Sequence, residues 1–126
     1  MDKLEYIPGD LVKFATNSYT IVNFEENFLY NKICYGLIST NSTKTAFVAD
    51  RDILPIPLTA EILEKNGWKK LYEKFFEKNV NDIRLTIELS ENRYVAINRI
   101  FIMEIHCVHE LQHLLFGLGL NHKMEV

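Results

Sequence analysis

Ile53-Leu54-Pro55-Ile56-Pro57-Leu58 divides this chain in two. Each proline removes a backbone donor, so the segment is predicted to be extended, as a linker or at a sheet edge. Residues before it read as short strands and turns; residues after it alternate between helix and strand. The expected organisation is a small β module over residues 1–58 and an α+β module over 59–126, ending in a helix.

Working toward the N-terminus, Pro8-Gly9-Asp10 is a turn that launches Leu11-Val12-Lys13-Phe14, and Tyr19-Thr20-Ile21-Val22 follows Asn17-Ser18. Cys34 to Thr40 is the next β-rich run, and Asn41-Ser42-Thr43 turns the chain into Thr45-Ala46-Phe47-Val48. Strands at this spacing predict a small, strongly bent barrel of SH3-like type, with Glu25 to Lys32 as its long loop.

Toward the C-terminus, Thr59 is an N-cap for a helix over Ala60 to Asn66, and Gly67 is its stop. Trp68 to Lys78, with lysines at 69, 70, 74 and 78, reads as a helical or irregular solvated face. Ile83, Leu85, Ile87 and Leu89 alternate, the period of a half-buried strand. Ser90-Glu91-Asn92-Arg93 turns it into Tyr94-Val95-Ala96-Ile97. Ile100 to Ile105 is a third β run, followed by a helix from about Cys107 to Leu118 that Gly117 and Gly119 end. The fold class is therefore α+β, an SH3-like small β-barrel followed by an α-β-β-β-α unit with a three-stranded antiparallel sheet.

The 126 residues are 48% hydrophobic and 25% charged, which suits a globular chain, and the formal charge is −3. With a pI near 5.8, broad non-specific binding of nucleic acid or anionic membrane is disfavoured. Met1-Asp2-Lys3-Leu4-Glu5 has no apolar leader and no run is long enough to span a bilayer, so a cytoplasmic protein is expected. Cys34 and Cys107 read as reduced structural thiols.

His109-Glu110-Leu111-Gln112-His113 spells H-E-x-x-H. On a helix the two histidines share a face and could reach one zinc ion, with Glu110 as general base on its water. A catalytic zinc needs a third protein ligand. After His113 only His122 and Glu125 offer one, and Phe116 and Gly119 stand where the glycine and third histidine of the longer zinc motif would fall. On a helical wheel Val108, Leu111, Leu115 and Leu118 form an apolar stripe, which turns His109 and His113 to the opposite side. The expectation is therefore no catalytic residue and no metal, with Glu110 as base and His109, His113 and His122 as zinc ligands as the alternative.

Three pieces together carry a family resemblance: Ile53 to Thr59 running into Glu61-Ile62-Leu63; Asn66-Gly67-Trp68; and Val108 to Gln112 with Leu114, Leu115, Phe116 and Leu118. This pattern resembles small accessory proteins of phages, prophages and mobile elements of the Bacteroidota, over about residues 45–118. In the related pattern the position of His113 is commonly Asn and that of Glu110 often Gln. The resemblance thus implies a structural polar role for His109 and Gln112 and no hydrolytic site. It also implies an anti-defence protein of the host cytoplasm that binds and inhibits a host protein or ribonucleoprotein, such as an anti-CRISPR protein against a type VI effector.

The residues offer two surfaces for such a partner. Phe24, Phe28 and Tyr30 are aromatic anchors in the expected long loop. Lys65, Lys69, Lys70, Lys74, Lys78 and Arg84, interleaved with Trp68, Tyr72, Phe75 and Phe76, form a possible RNA surface, diluted by Glu73 and Glu77.

Overall fold

The computed structural model describes residues 6–27, 32–39, 45–90 and 93–126. The fold is mixed α+β, mostly strands in two five-stranded antiparallel sheets with two α-helices. The chain separates into two compact units, Met1–Ile56 and Pro57–Val126. No helix among the described residues is long and apolar enough to cross a membrane. Cys34 and Cys107 form no disulfide and are half-buried.

The first unit contains β1 (Leu11–Phe14), β2 (Asn17–Asn27), β3 (Lys32–Ile38), β4 (Ala46–Ala49), a 3-10 turn at Asp50–Asp52, and β5 (Ile53–Pro55). Their order is β4-β3-β2-β1-β5. Pro55 lies opposite Val12 on an edge strand, where its missing donor costs no ladder bond. The register of β2 against β3 shifts between Ile21 and Asn23, and Gly36 sits at that point. A Cβ on Gly36 would collide with the Asn23 side chain. Tyr6, Val12, Ile21, Tyr35, Leu37, Val48 and Ile53 form the core, with Tyr6 edge-on to Tyr35 at 5.4 Å. Among the described residues no ladder joins β4 to β5, and the sheet does not close. The long loop expected over Glu25 to Lys32 is shorter: β2 runs on to Asn27 and β3 begins at Lys32. The Asn41-Ser42-Thr43 turn lies outside the described residues.

In the second unit, α1 (Ala60–Lys65) starts where Thr59 Oγ1 accepts the Ile62 N–H. Pro57 bridges to Cys107, Leu58 N donates to His106 O at 3.0 Å, and Arg93 Nη1 donates to Leu58 O at 2.6 Å. These bonds place the end of the proline segment in the second unit. Both helices end alike. After α1, Gly67 N donates to Glu64 O and Trp68 N to Leu63 O. After α2 (Val108–Gly117), Gly119 N donates to Phe116 O and Leu120 N to Leu115 O. Each glycine has positive φ, 86° and 74°, and each following apolar residue, Trp68 and Leu120, is buried. This is the Schellman arrangement, in which a left-handed glycine satisfies the last carbonyls and the next side chain packs back.

The sheet of this unit corrects the expected three strands to five: β6 (Lys69–Tyr72), β7 (Phe75–Val80), β8 (Ile83–Glu88), β9 (Tyr94–Ile97) and β10 (Ile100–Glu104), in the order β10-β9-β8-β7-β6. Trp68 to Lys78 is a hairpin, not a helical or irregular face. Lys69 lies opposite Glu77 and Tyr72 opposite Phe75, and the turn passes through Glu73 at φ 32°. The reversal carries none of the Gly, Pro or Asn that normally mark a turn, and the adjacent aromatics Phe75 and Phe76 face opposite sides. Phe76, Leu85, Ile87 and Val95 share one face of the sheet and are buried. Asn81-Asp82 and Asn98-Arg99 form two-residue turns with both φ positive, the geometry that matches strand twist in hairpins.

Candidate functional site

The H-E-x-x-H stretch falls on the first two turns of α2. Glu110 is the third helical residue, and its Oε1 accepts the backbone N–H groups of Cys107 at 3.0 Å and His106 at 3.1 Å. The carboxylate thus satisfies the N–H of the N-cap Cys107, one of the donors that a helix start leaves open, and that of the residue before it, and its charge complements the positive end of the helix dipole. His109 is 6% exposed, a correction to the wheel that turned it away from the apolar stripe. The buried sector of α2 spans Val108, His109, Leu111, Gln112 and Leu115. It is wider than the apolar letters, since it takes in the polar side chains of His109 and Gln112.

His113 is half-buried, its ring edge-on to that of His109 with centroids 5.6 Å apart. Gln112 is buried and its Nε2 donates to His122 O at 3.1 Å, while the His122 ring stands edge-on to Phe116 at 5.1 Å. Among the described residues no group of three or more His, Cys, Asp or Glu is arranged to hold a metal ion.

The sequence-derived partner residues fall on several elements. Phe28 and Tyr30 lie outside the described residues, as does the side chain of Phe24, whose backbone pairs with Tyr35. Lys65 Nζ donates to Val126 O at 2.9 Å. Lys69 and Lys70 are exposed on β6 and Lys74 is exposed in the turn beyond it. Lys78 Nζ donates to Asn66 O at 2.9 Å, and Arg84 pairs with Glu77. Trp68 and Phe76 are buried and cannot stack on bases.

A different arrangement emerges from the strand register. Tyr72 lies opposite Phe75, Phe75 opposite Glu88, Glu88 opposite Tyr94, and Tyr94 opposite Glu104. Residues directly opposite share a face, so these five form one row across all five strands, on the face away from Phe76, Leu85, Ile87 and Val95. Tyr72 and Phe75 rings are 4.8 Å apart, and Phe101 stands edge-on to Tyr94 at 5.2 Å. Tyr72, Phe101 and Glu104 are exposed. A hydrogen bond to Glu88 and its negative charge hold the Tyr94 phenol above its usual range. A carboxylate flanked by aromatic rings is suited to an ammonium or guanidinium group, through charge pairing and cation–π attraction. The sequence signal was the polar-apolar alternation of Thr86, Ile87 and Glu88 and the adjacent pair Phe75-Phe76. Without the register it could not be assembled into a row.

Comparison of the chain with family models, with curated proteins and with solved structures finds no match.

Proposed function

We propose that this protein acts by stoichiometric binding and not by catalysis, and that the row Tyr72–Phe75–Glu88–Tyr94–Glu104 receives Lys or Arg side chains of a host protein. The row's register carries this reading. Capture of the Glu110 carboxylate by the start of α2 supports it, because that oxygen is already engaged with two N–H groups. For the first unit, the order β4-β3-β2-β1-β5, the long shifted β2 and the 3-10 turn before β5 support a small SH3-like barrel.

Proteins that handle nucleic acid carry basic surfaces to meet phosphates, and an acidic protein with an aromatic and carboxylate row competes for such surfaces. The resemblance to phage accessory proteins makes the proposed setting a bacterial host cytoplasm and the proposed target its defence machinery, with an RNA-guided type VI effector as the specific case. The test is titration of the purified effector, with and without its guide RNA, by wild type and by Glu88→Lys. A saturable complex that weakens with salt and with Glu88→Lys is expected. No complex, or one indifferent to Glu88→Lys, overturns the assignment.

A further inference from the structure

The two edges of the second sheet differ. β6 exposes Lys69 and Lys70, the residue type that keeps edges from pairing with other chains. β10 is exposed along its length and carries Ile100, Phe101, Ile102 and Met103, with Ile100 67% and Phe101 57% exposed. Among the described residues it pairs with β9 alone. Its register sorts these side chains between two faces. Phe101 lies opposite Ala96 and Glu104 opposite Tyr94, on the face of the aromatic and carboxylate row. Ile100 lies opposite Ile97 and Met103 opposite Val95, on the other face. The register shift takes up Ile102, which is how Phe101 and Glu104, three residues apart, come to share a face. The backbone of this edge is directional too. Ile105 N donates to Arg93 O at 2.9 Å, and bonded pairs alternate with unbonded ones along an antiparallel ladder. The adjacent pair Glu104–Tyr94 is therefore unbonded, and the Glu104 N–H and C=O point away from β9 to the free edge.

We propose that the partner enters as a sixth strand: an extended segment, alternating basic and apolar residues, that pairs antiparallel with β10. This rests on the row Tyr72–Phe75–Glu88–Tyr94–Glu104 as the partner's surface, and adds how the partner's chain is held there. The Glu104 N–H and C=O bond to the residue of the segment directly opposite, which thereby lies on the row's face. A lysine or arginine in that place meets the exposed Glu104 carboxylate, beside which His106 Nε2 stands 3.3 Å from Oε2. The residue two further along lies on the same face toward Phe101, where a second cation rests against the ring. The residue between them faces the other side, beside Met103, and an apolar side chain suits it. Carboxylates at Glu104 and Glu88 on one face, and exposed Met103 and Ile100 on the other, thus specify the alternation. The added strand satisfies backbone groups that the edge leaves open. The rival account is that the register shift between Phe101 and Met103 is a bulge that keeps the edge from pairing.

The test is titration of the full chain with a capped heptapeptide that alternates lysine and valine, followed by calorimetry and amide exchange. In the proposed pairing the lysine N–H groups face β10 and the valine N–H groups face away. Methylating the lysine amides should therefore weaken binding at least about tenfold, through lost hydrogen bonds along the edge. Methylating the valine amides should leave binding unchanged. Exchange at the Glu104 amide should slow when the peptide is bound. Glu88→Lys and Glu104→Lys should each weaken binding at least about fivefold, and circular dichroism confirms that each variant folds. Equal binding by the two methylated peptides, with Glu88→Lys still weakening it, overturns the added strand and leaves the row standing. Binding indifferent to both Glu88→Lys and Glu104→Lys overturns the row and the added strand together. No binding of the unmethylated peptide overturns the added strand and favours the bulge.

Discussion

Asn66 grips Glu125 with both ends of its amide: Nδ2 donates to Glu125 O at 2.7 Å, and Oδ1 accepts from Glu125 N at 2.8 Å. The same Nδ2 donates to Ile62 O at 2.8 Å, and the Asn66 carbonyl accepts from Lys78 Nζ. One residue at the end of α1 thereby joins the helix, β7 and the last residues of the chain. Asn66→Ala leaves these backbone groups to water and should cost about 1–3 kcal/mol. Amide exchange at residues 124–126 should accelerate more than exchange in β8. Unchanged exchange there would show that the tail is held by other contacts.

Glu110 offers a clean separation between helix capping and catalysis. Glu110→Gln keeps an acceptor at Oε1 and loses only the charge, so thermal stability should fall by about 0.3–1 kcal/mol. Glu110→Ala removes the acceptor as well and should cost about 0.5–2 kcal/mol. Binding to the partner should persist in both. A hydrolase would instead lose several orders of magnitude in rate with Gln alone.

Leu111 is fully buried on α2. Leu111→Ala should destabilise by about 2–5 kcal/mol through lost burial and the cavity left behind. Chemical denaturation measures this directly, and a midpoint equal to wild type would contradict the burial.

Arg99→Gly should stabilise the fold by about 1 kcal/mol, because glycine adopts positive φ without the steric cost that arginine bears. Chemical denaturation measures the change, and a midpoint at or below wild type would contradict the steric cost.

Tyr94 should titrate above the range of ordinary tyrosines, seen as late tyrosinate absorbance, because Glu88 holds its proton. The folded chain binds that proton more tightly than the unfolded one. The contact therefore stabilises below the usual tyrosine value, about 10, and is lost as pH rises through the raised one. Glu88→Gln should return the titration toward the ordinary range.

Much of the local structure was legible in the sequence by itself. Thr59 and Gly67 bracket α1, the alternation from Ile83 to Leu89 marks β8, and Pro55 and Pro57 mark the join between the units. Caps, periods and missing donors act over a few residues, so a few residues suffice to read them. The β6–β7 hairpin was not legible, because Glu73-Lys74 lacks turn chemistry and its lysines imitate a solvated helix. Nor was the role of Glu110, since the same letters serve a metal site or a helix start. Its position as third helical residue, with its carboxylate on Cys107 N and His106 N, settled where that oxygen goes. The row from Tyr72 to Glu104 was furthest from reach. It joins five strands through four registers, and a slip of one residue in any of them sends a side chain to the opposite face. That choice belongs to the packing of Phe76, Leu85, Ile87 and Val95 together, which only the tertiary structure decides.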